Sequence, residues 1–168
     1  PHGRGGVAGG SGAILAGLPL NASAPGEVLT AVEGADWAPD GDDFAVVHVV
    51  EGKYRLEYPI GTVLDEPGTR IGDVRVSPDG TRVAFVDRPL FEADDRGAIC
   101  VIRKSDRTKR VLSGGWSSVT GLAWTPSGDE IWFTAAASGA ATSLHAVDLS
   151  GNVRTVATSP RRMTIRDI

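Results

Sequence analysis

One cysteine and one methionine occur in 168 residues. A single thiol excludes an intrachain disulfide framework and any zinc cluster built on cysteines. Aromatic residues are only 6% of the chain, although four of them are tryptophan. Basic charge is not in excess. Lys and Arg number 17 against 21 Asp and Glu, for a net charge of −4, so the footprint of a nucleic-acid-binding protein is missing. No apolar run approaches the roughly 18 to 20 residues of a membrane-spanning helix, and no helical period stands out anywhere.

Catalytic signatures are missing as well. The chain has no Gly-x-Gly-x-x-Gly with a lysine strand, no His-Arg-Asp loop, no Asp-Phe-Gly, no Walker loop and no His-Glu-x-x-His. The nearest stretch to a hydrolase nucleophile elbow, Gly114-Gly115-Trp116-Ser117-Ser118, has the wrong spacing. The expectation is a chain with no catalytic residues, no cofactor and no metal.

What is present is turn chemistry. Gly numbers 22 and Pro 10, and the apolar fraction of 41% suffices for a core. Three segments share one pattern: Asp36-Trp37-Ala38-Pro39-Asp40-Gly41, Arg75-Val76-Ser77-Pro78-Asp79-Gly80 and Ala123-Trp124-Thr125-Pro126-Ser127-Gly128. The apolar positions Trp37, Val76 and Trp124 are 39 and 48 residues apart, and a further 44 reach Ile168 in Arg166-Asp167-Ile168. A period of this size marks a repeat architecture. Pro presets φ for the first corner of a tight turn, Asp bonds its own local backbone, and Gly takes positive φ without a steric cost.

Each turn is followed by a β-branched and aromatic run: Phe44–Val50, Val83–Val86 and Ile131–Ala135. These runs are continuously apolar, which implies burial on both faces. A radial stack of small sheets, each packed between two neighbours, meets that demand. Later strands at 55–60, 98–102 and 144–149, and outer strands at 62–64, 109–112 and 153–156, carry more charge, as edges do. Gly52, Gly97, Gly139 and Gly151 fall between strands and read as turn residues.

The expected fold is therefore all-β: a β-propeller of four-stranded antiparallel blades. Three full blades are expected at about 34–72, 73–118 and 119–162. Partial blades are expected at 13–33 (strands Ala13–Leu20 and Gly26–Thr30) and 163–168. Residues 1–12 read as a flexible Gly-rich lead, and the whole as a segment of a larger protein.

This repeat resembles the WD40-like PD40 repeats of TolB-type β-propellers, on the turns at 37–41 and 76–80 and the variant at 124–128. The stretches 33–41, 55–64 and 114–133 resemble the propeller regions of bacterial Ser/Thr protein kinases. That resemblance implies a sensor or scaffold module following a kinase domain, on the outer side of a bacterial membrane. Similar propellers gate prolyl-oligopeptidase-like peptidases, and a TolB-like binding propeller is the further alternative. All three imply a protein or peptide partner on the rim or in the central channel. Open strand edges at either end allow a second copy to complete the ring.

Other residues read as structural. His2, His48 and His145 lack ligand spacing. Cys100, within Ile99-Cys100-Val101-Ile102, reads as a buried inert thiol. The acidic cluster Glu92-Ala93-Asp94-Asp95, near Arg88 and Arg96, reads as a solvated loop without calcium-loop spacing. Asp40, Asp79 and Asp129 need no calcium, because a turn role accounts for the first two. Trp37, Trp124 and Trp132 read as strand residues and Trp116 as a loop residue, with packing between blades favoured over a ligand platform. The basic run Arg103–Arg110 reads as a solvated turn.

Overall fold

A computed structural model of the chain describes residues 13–17, 26–90, 95–159 and 163–168. The lead at 1–12 with His2, residues 18–20 of the first expected strand, and Glu92, Ala93 and Asp94 lie outside the described residues. Thirteen strands and no helix occur among the described residues, and none of those residues forms a helix long and apolar enough to cross a membrane. The first sheet runs, in sequence and in space, β1 (Ala13–Gly17), β2 (Gly26–Trp37), β3 (Phe44–Val50), β4 (Lys53–Glu57) and β5 (Val63–Asp65). The second is β6 (Arg70–Val76), β7 (Arg82–Arg88), β8 (Gly97–Arg103) and β9 (Lys109–Trp116). The third is β10 (Ser118–Trp124), β11 (Glu130–Ala136), β12 (Ser143–Asp148) and β13 (Val153–Thr158). Every neighbouring pair is antiparallel, so each sheet is a meander closed by tight turns.

The continuous apolar runs do what two-sided burial requires. In β7, Val83 and Phe85 turn toward the first sheet and cluster with its Ala45, Val47 and Leu56 and with Ile71 of β6. The alternate residues Ala84 and Val86 turn the other way and meet Leu122, Trp124, Ile131 and Phe133 of the third sheet. All four β7 side chains are fully buried. Burying side chains of the size of Val or Phe contributes about 1.5 to 3 kcal/mol each, so the stack of blades is the source of the core. The innermost strands touch one another in series, β2 with β6 and β6 with β10.

Three placements differ from the sequence reading. First, β2 continues without a break through residues 26–30, expected as an outer strand of an earlier blade. Its N-terminal half pairs with β1 and its C-terminal half with β3, so both join the first sheet. An irregularity between Val32 and Gly34 marks the change of partner. Second, β6 begins at Arg70 rather than at 73, because Arg70 and Ile71 already pair with Arg88 and Asp87. Third, residues 163–168 form no strand. They lie along β10 and β11 instead, held by Thr120 Oγ1 donating to the Met163 carbonyl at 3.2 Å and the Ile165 amide donating to Thr134 Oγ1 at 3.2 Å. Gly121 permits this approach, since a Cβ there would collide with the Ile165 carbonyl.

Candidate functional site

The three repeat turns adopt one geometry. The amide of each turn glycine donates to a carbonyl three residues back: Gly41 to Ala38 at 2.9 Å, Gly80 to Ser77 at 2.8 Å and Gly128 to Thr125 at 2.9 Å. All three glycines have positive φ, at 79°, 69° and 73°. Pro39, Pro78 and Pro126 each take the first corner. Asp79 secures its turn by accepting from the Thr81 amide at 3.0 Å and from Ser77 Oγ at 2.5 Å. Asp40 accepts from the Asp42 amide at 3.1 Å. Burial works to raise the Asp79 carboxyl, but the bonds from Ser77 and Thr81 and the Arg82 charge hold it below its usual value. In the third copy Ser127 replaces Asp, and the acid reappears at Asp129, which accepts from Thr125 Oγ1 at 3.0 Å and from Ser127 Oγ.

The turns also touch across blades. A Cβ built on Gly80 would meet Pro39 at 3.4 Å, and one on Gly128 would meet Pro78 at 3.5 Å. The prolines of the first and second repeats thus lie over the glycine of the next, while the Gly41 position meets nothing within 4 Å.

Above the turns the inner strands converge. Asp36, at the end of β2 and buried, accepts the Val76 amide of β6 at 2.8 Å. Trp124, at the end of β10, donates its indole N–H to the Arg75 carbonyl at 3.1 Å. Between these ends lies a cavity of about 270 Å³ lined by Asp36, Arg75, Val76, Pro78, Ala123, Trp124, Pro126, Asp167 and Ile168. Its lining is mixed: Val76, Pro78, Pro126 and Ile168 supply apolar surface, and Asp36, Arg75 and Asp167 supply charges of both signs. Val76, Pro78, Trp124 and Pro126, among the residues of the sequence motif, come together here. Asp36, Arg75 and Asp167 are the members that the motif reading did not select. Their shared place just before each apolar repeat position is the signal that would have found them.

Other candidates are placed elsewhere. Trp37 stands half-exposed with its ring on Phe44, centroids 3.7 Å apart. Trp116 lies at the end of β9 rather than in a loop, packed on Phe133 and His145 with centroids 5.3 and 4.6 Å away. Trp132 donates to Glu130 Oε2 at 3.2 Å. His48 Nε2 lies 3.0 Å from Glu57 Oε1, both buried. Burial lowers the His145 pKa, against a bond to the Ala135 backbone, and its Nδ1 lies 3.3 Å from Thr155 Oγ1. Burial pushes the Cys100 thiol up to about 12, with the nearby Asp87 carboxylate adding to the effect. A thiol so placed is protonated and unreactive at neutral pH. Among the described residues no group of three His, Cys, Asp or Glu side chains is arranged to hold a metal ion.

Two expected turn or loop residues have other places. Gly97 opens β8, where a Cβ would run into Val86 and the Asp87 carbonyl. Arg88 is a buried member of β7, not a loop residue. It donates to Asp73 Oδ2 at 2.7 Å, to the Asp95 carbonyl at 2.7 Å and to the Val119 carbonyl at 3.0 Å, tying the second blade to the third.

No protein-family model matches the sequence, and no curated protein does. Solved structures do. TolB from Acinetobacter baumannii aligns over 90% of this chain and 41% of its own, with 16% identity and a TM-score of 0.66. A protein assigned as TolB from Agrobacterium tumefaciens aligns over 72% of this chain and 48% of its own, with 20% identity and a TM-score of 0.58. A prolyl endopeptidase aligns over 70% of this chain and 21% of its own, with 21% identity and a TM-score of 0.54. The chain spans less than half the length of the TolB structures that it matches. It has the fold of an antiparallel β-propeller, similar to that of TolB.

Proposed function

We propose that this chain is a non-catalytic binding module and that it takes a short peptide segment of a partner protein at the cavity between the ends of β2, β6 and β10. One observation carries the reading. The cavity gathers two carboxylates, one guanidinium and a tryptophan on proline-rich walls, which is the mixture that fits a peptide bearing both signs of charge. Its volume accommodates one or two residues, small beside a drug-sized pocket. The structural likeness to TolB supports a propeller that binds. The likeness to the prolyl endopeptidase supports a second reading, a propeller that gates a peptidase. The kinase-sensor reading rests on the sequence resemblance at 33–41, 55–64 and 114–133 alone.

Two measurements test this. Calorimetric titration with a short peptide containing one lysine and one aspartate should give saturable binding that Arg75→Ala abolishes. Absence of binding, or binding that Arg75→Ala leaves intact, would refute the cavity as the site. The gene around the segment assigns the context. Kinase motifs upstream identify a sensor region, a Gly-x-Ser-x-Gly domain downstream identifies a peptidase gate, and an export signal with neither identifies a TolB-like binding propeller.

A further inference from the structure

A second cavity, of about 210 Å³, lies on the outer part of the face that the second blade turns toward the third, away from the inner strands. It is lined by Arg82, Val101, Arg103, Thr108, Arg110 and Leu149. Its composition breaks a rule of sheet construction. Arg82 of β7 and Arg103 of β8 are directly paired in register, and like charges placed directly opposite, with Cβ atoms about 5 Å apart, repel. Arg110 of β9 pairs with Val101, two positions along from Arg103. It is therefore the diagonal neighbour on the same face, about 7 Å away. Three guanidiniums from three adjacent strands thus share one face of a chain whose net charge is −4.

Carboxylates do not fill the cavity. Arg82 Nη1 bonds Asp79 Oδ2 at 3.3 Å, and Arg103 Nη1 bonds Asp106 Oδ2 at 2.8 Å. Both acids sit in the turns beyond the strand ends, outside the lining. Arg110 Nη1 donates to the Leu149 carbonyl at 2.8 Å, which fixes it against the third blade. Each bond engages Nη1, so the fork of each guanidinium retains further N–H donors. The floor is the buried Val101, and a partly desolvated floor strengthens charge pairing above it.

We propose that this cavity is a binding site for a phosphomonoester group. Three planar forks match the three terminal oxygens of a phosphomonoester, and its double negative charge relieves the repulsion between Arg82 and Arg103. A carboxylate has two oxygens and one charge and fills the site less well. The site is separate from the cavity at the inner strand ends, and the proposal stands independently of the function assigned to that cavity.

Phenyl phosphate is the probe. Titrated into the full chain, it should bind saturably and raise Tm, with benzoate weaker. Arg103→Gln and Arg110→Gln should each weaken it on the order of tenfold to a hundredfold, as loss of a charged hydrogen bond does. Without ligand, Arg103→Gln should fold about as stably as the parent, because removal of a like-charge neighbour offsets loss of the exposed bond to Asp106. A phosphoserine peptide that binds more tightly than phenyl phosphate assigns the group to a protein, and equal binding assigns it to a small metabolite; either upholds the site. No saturable binding of phenyl phosphate overturns the proposal. So does unaltered binding in both variants together with lower stability, which makes the arginines structural alone.

Discussion

Asp36 of the first blade accepts a hydrogen bond from the backbone amide of Val76 in the second, 2.8 Å away and 40 residues on in sequence. Both residues are buried, so the bond links two sheets where water does not compete. Removing the acceptor leaves the Val76 N–H unsatisfied, which costs about 1 to 3 kcal/mol. Asp36→Ala should lower unfolding free energy by about that amount in denaturant titration. Asp36→Asn keeps an acceptor oxygen and should lose less. Equal stability of Asp36→Ala and the parent would remove this bond from the account of blade packing.

Arg88 makes the complementary tie at the other end of the blades. Its guanidinium reaches Asp73, the Asp95 carbonyl and the Val119 carbonyl. Arg88→Met preserves much of the stem but orphans these acceptors. A loss of about 3 kcal/mol is expected, the sum of a few charge-assisted bonds less what water restores to the part-exposed Asp73. Hydrogen exchange should locate the loosening at β10, where Val119 sits, rather than at β3.

Two glycines separate backbone strain from crowding. Gly41 has φ of 79° and open space around its Cβ position. Gly41→Ala should therefore cost about 1 to 2 kcal/mol from the left-handed conformation alone. At Gly97 the obstacle is neighbouring atoms, the fully buried Val86 side chain and the Asp87 carbonyl. Gly97→Ala should cost about 1 to 3 kcal/mol by overpacking. Larger substitutions distinguish the two. Gly97→Val should abolish folding at 37 °C, whereas Gly41→Asn, which tolerates positive φ, should fold normally.

The Cys100 thiol gives a pH signature. Its pKa lies near 12 in the folded chain, raised by burial from a reference of 9.0. An acid whose folded pKa is raised stabilises the fold fully below the unfolded pKa, and that stability is lost as pH rises from about 9 toward 12. The slope is at most about 1.4 kcal/mol per pH unit for one proton. Lys109 adds an alkaline loss at higher pH. Burial opposes its charge, but the hydrogen bonds that its ammonium donates to Asp87 and Asp65 raise its pKa above 10.5. Cys100→Ala should therefore flatten stability against pH between 8.5 and 10, below the Lys109 window. Thiol labelling of the native chain at pH 8 should be negligible until denaturant is added.

The fold was legible because one local device repeats. A Pro-Asp-Gly turn between two apolar strands can be read from six residues, and its recurrence implies sheets stacked face to face. The site was legible only in part. Val76, Pro78, Trp124 and Pro126 belong to the motif; Asp36, Arg75 and Asp167 share a local signal, the place just before an apolar repeat position, but their role comes from contacts across blades. Arg88 looks like a loop residue in sequence because its partners, Asp73, Asp95 and Val119, lie in three separate segments, up to 31 residues distant. Gly97 resembles a turn glycine in sequence, and only the approach of Val86 explains it. The pairing of Arg82 with Arg103 depends on strand register, which follows from turn length rather than from either residue.

The indole N–H of Trp124 reports on the cavity directly, since it bonds the Arg75 carbonyl at the cavity wall. The decisive measurement is the nitrogen–proton correlation spectrum of the four tryptophan indoles during titration with a peptide containing lysine and aspartate. A binding module at the inner strand ends predicts a saturable shift of the Trp124 signal, with Trp116, packed away on Phe133 and His145, left in place. A saturating shift at Trp37 or Trp116 with Trp124 unmoved, or no shift at any indole, would contradict it.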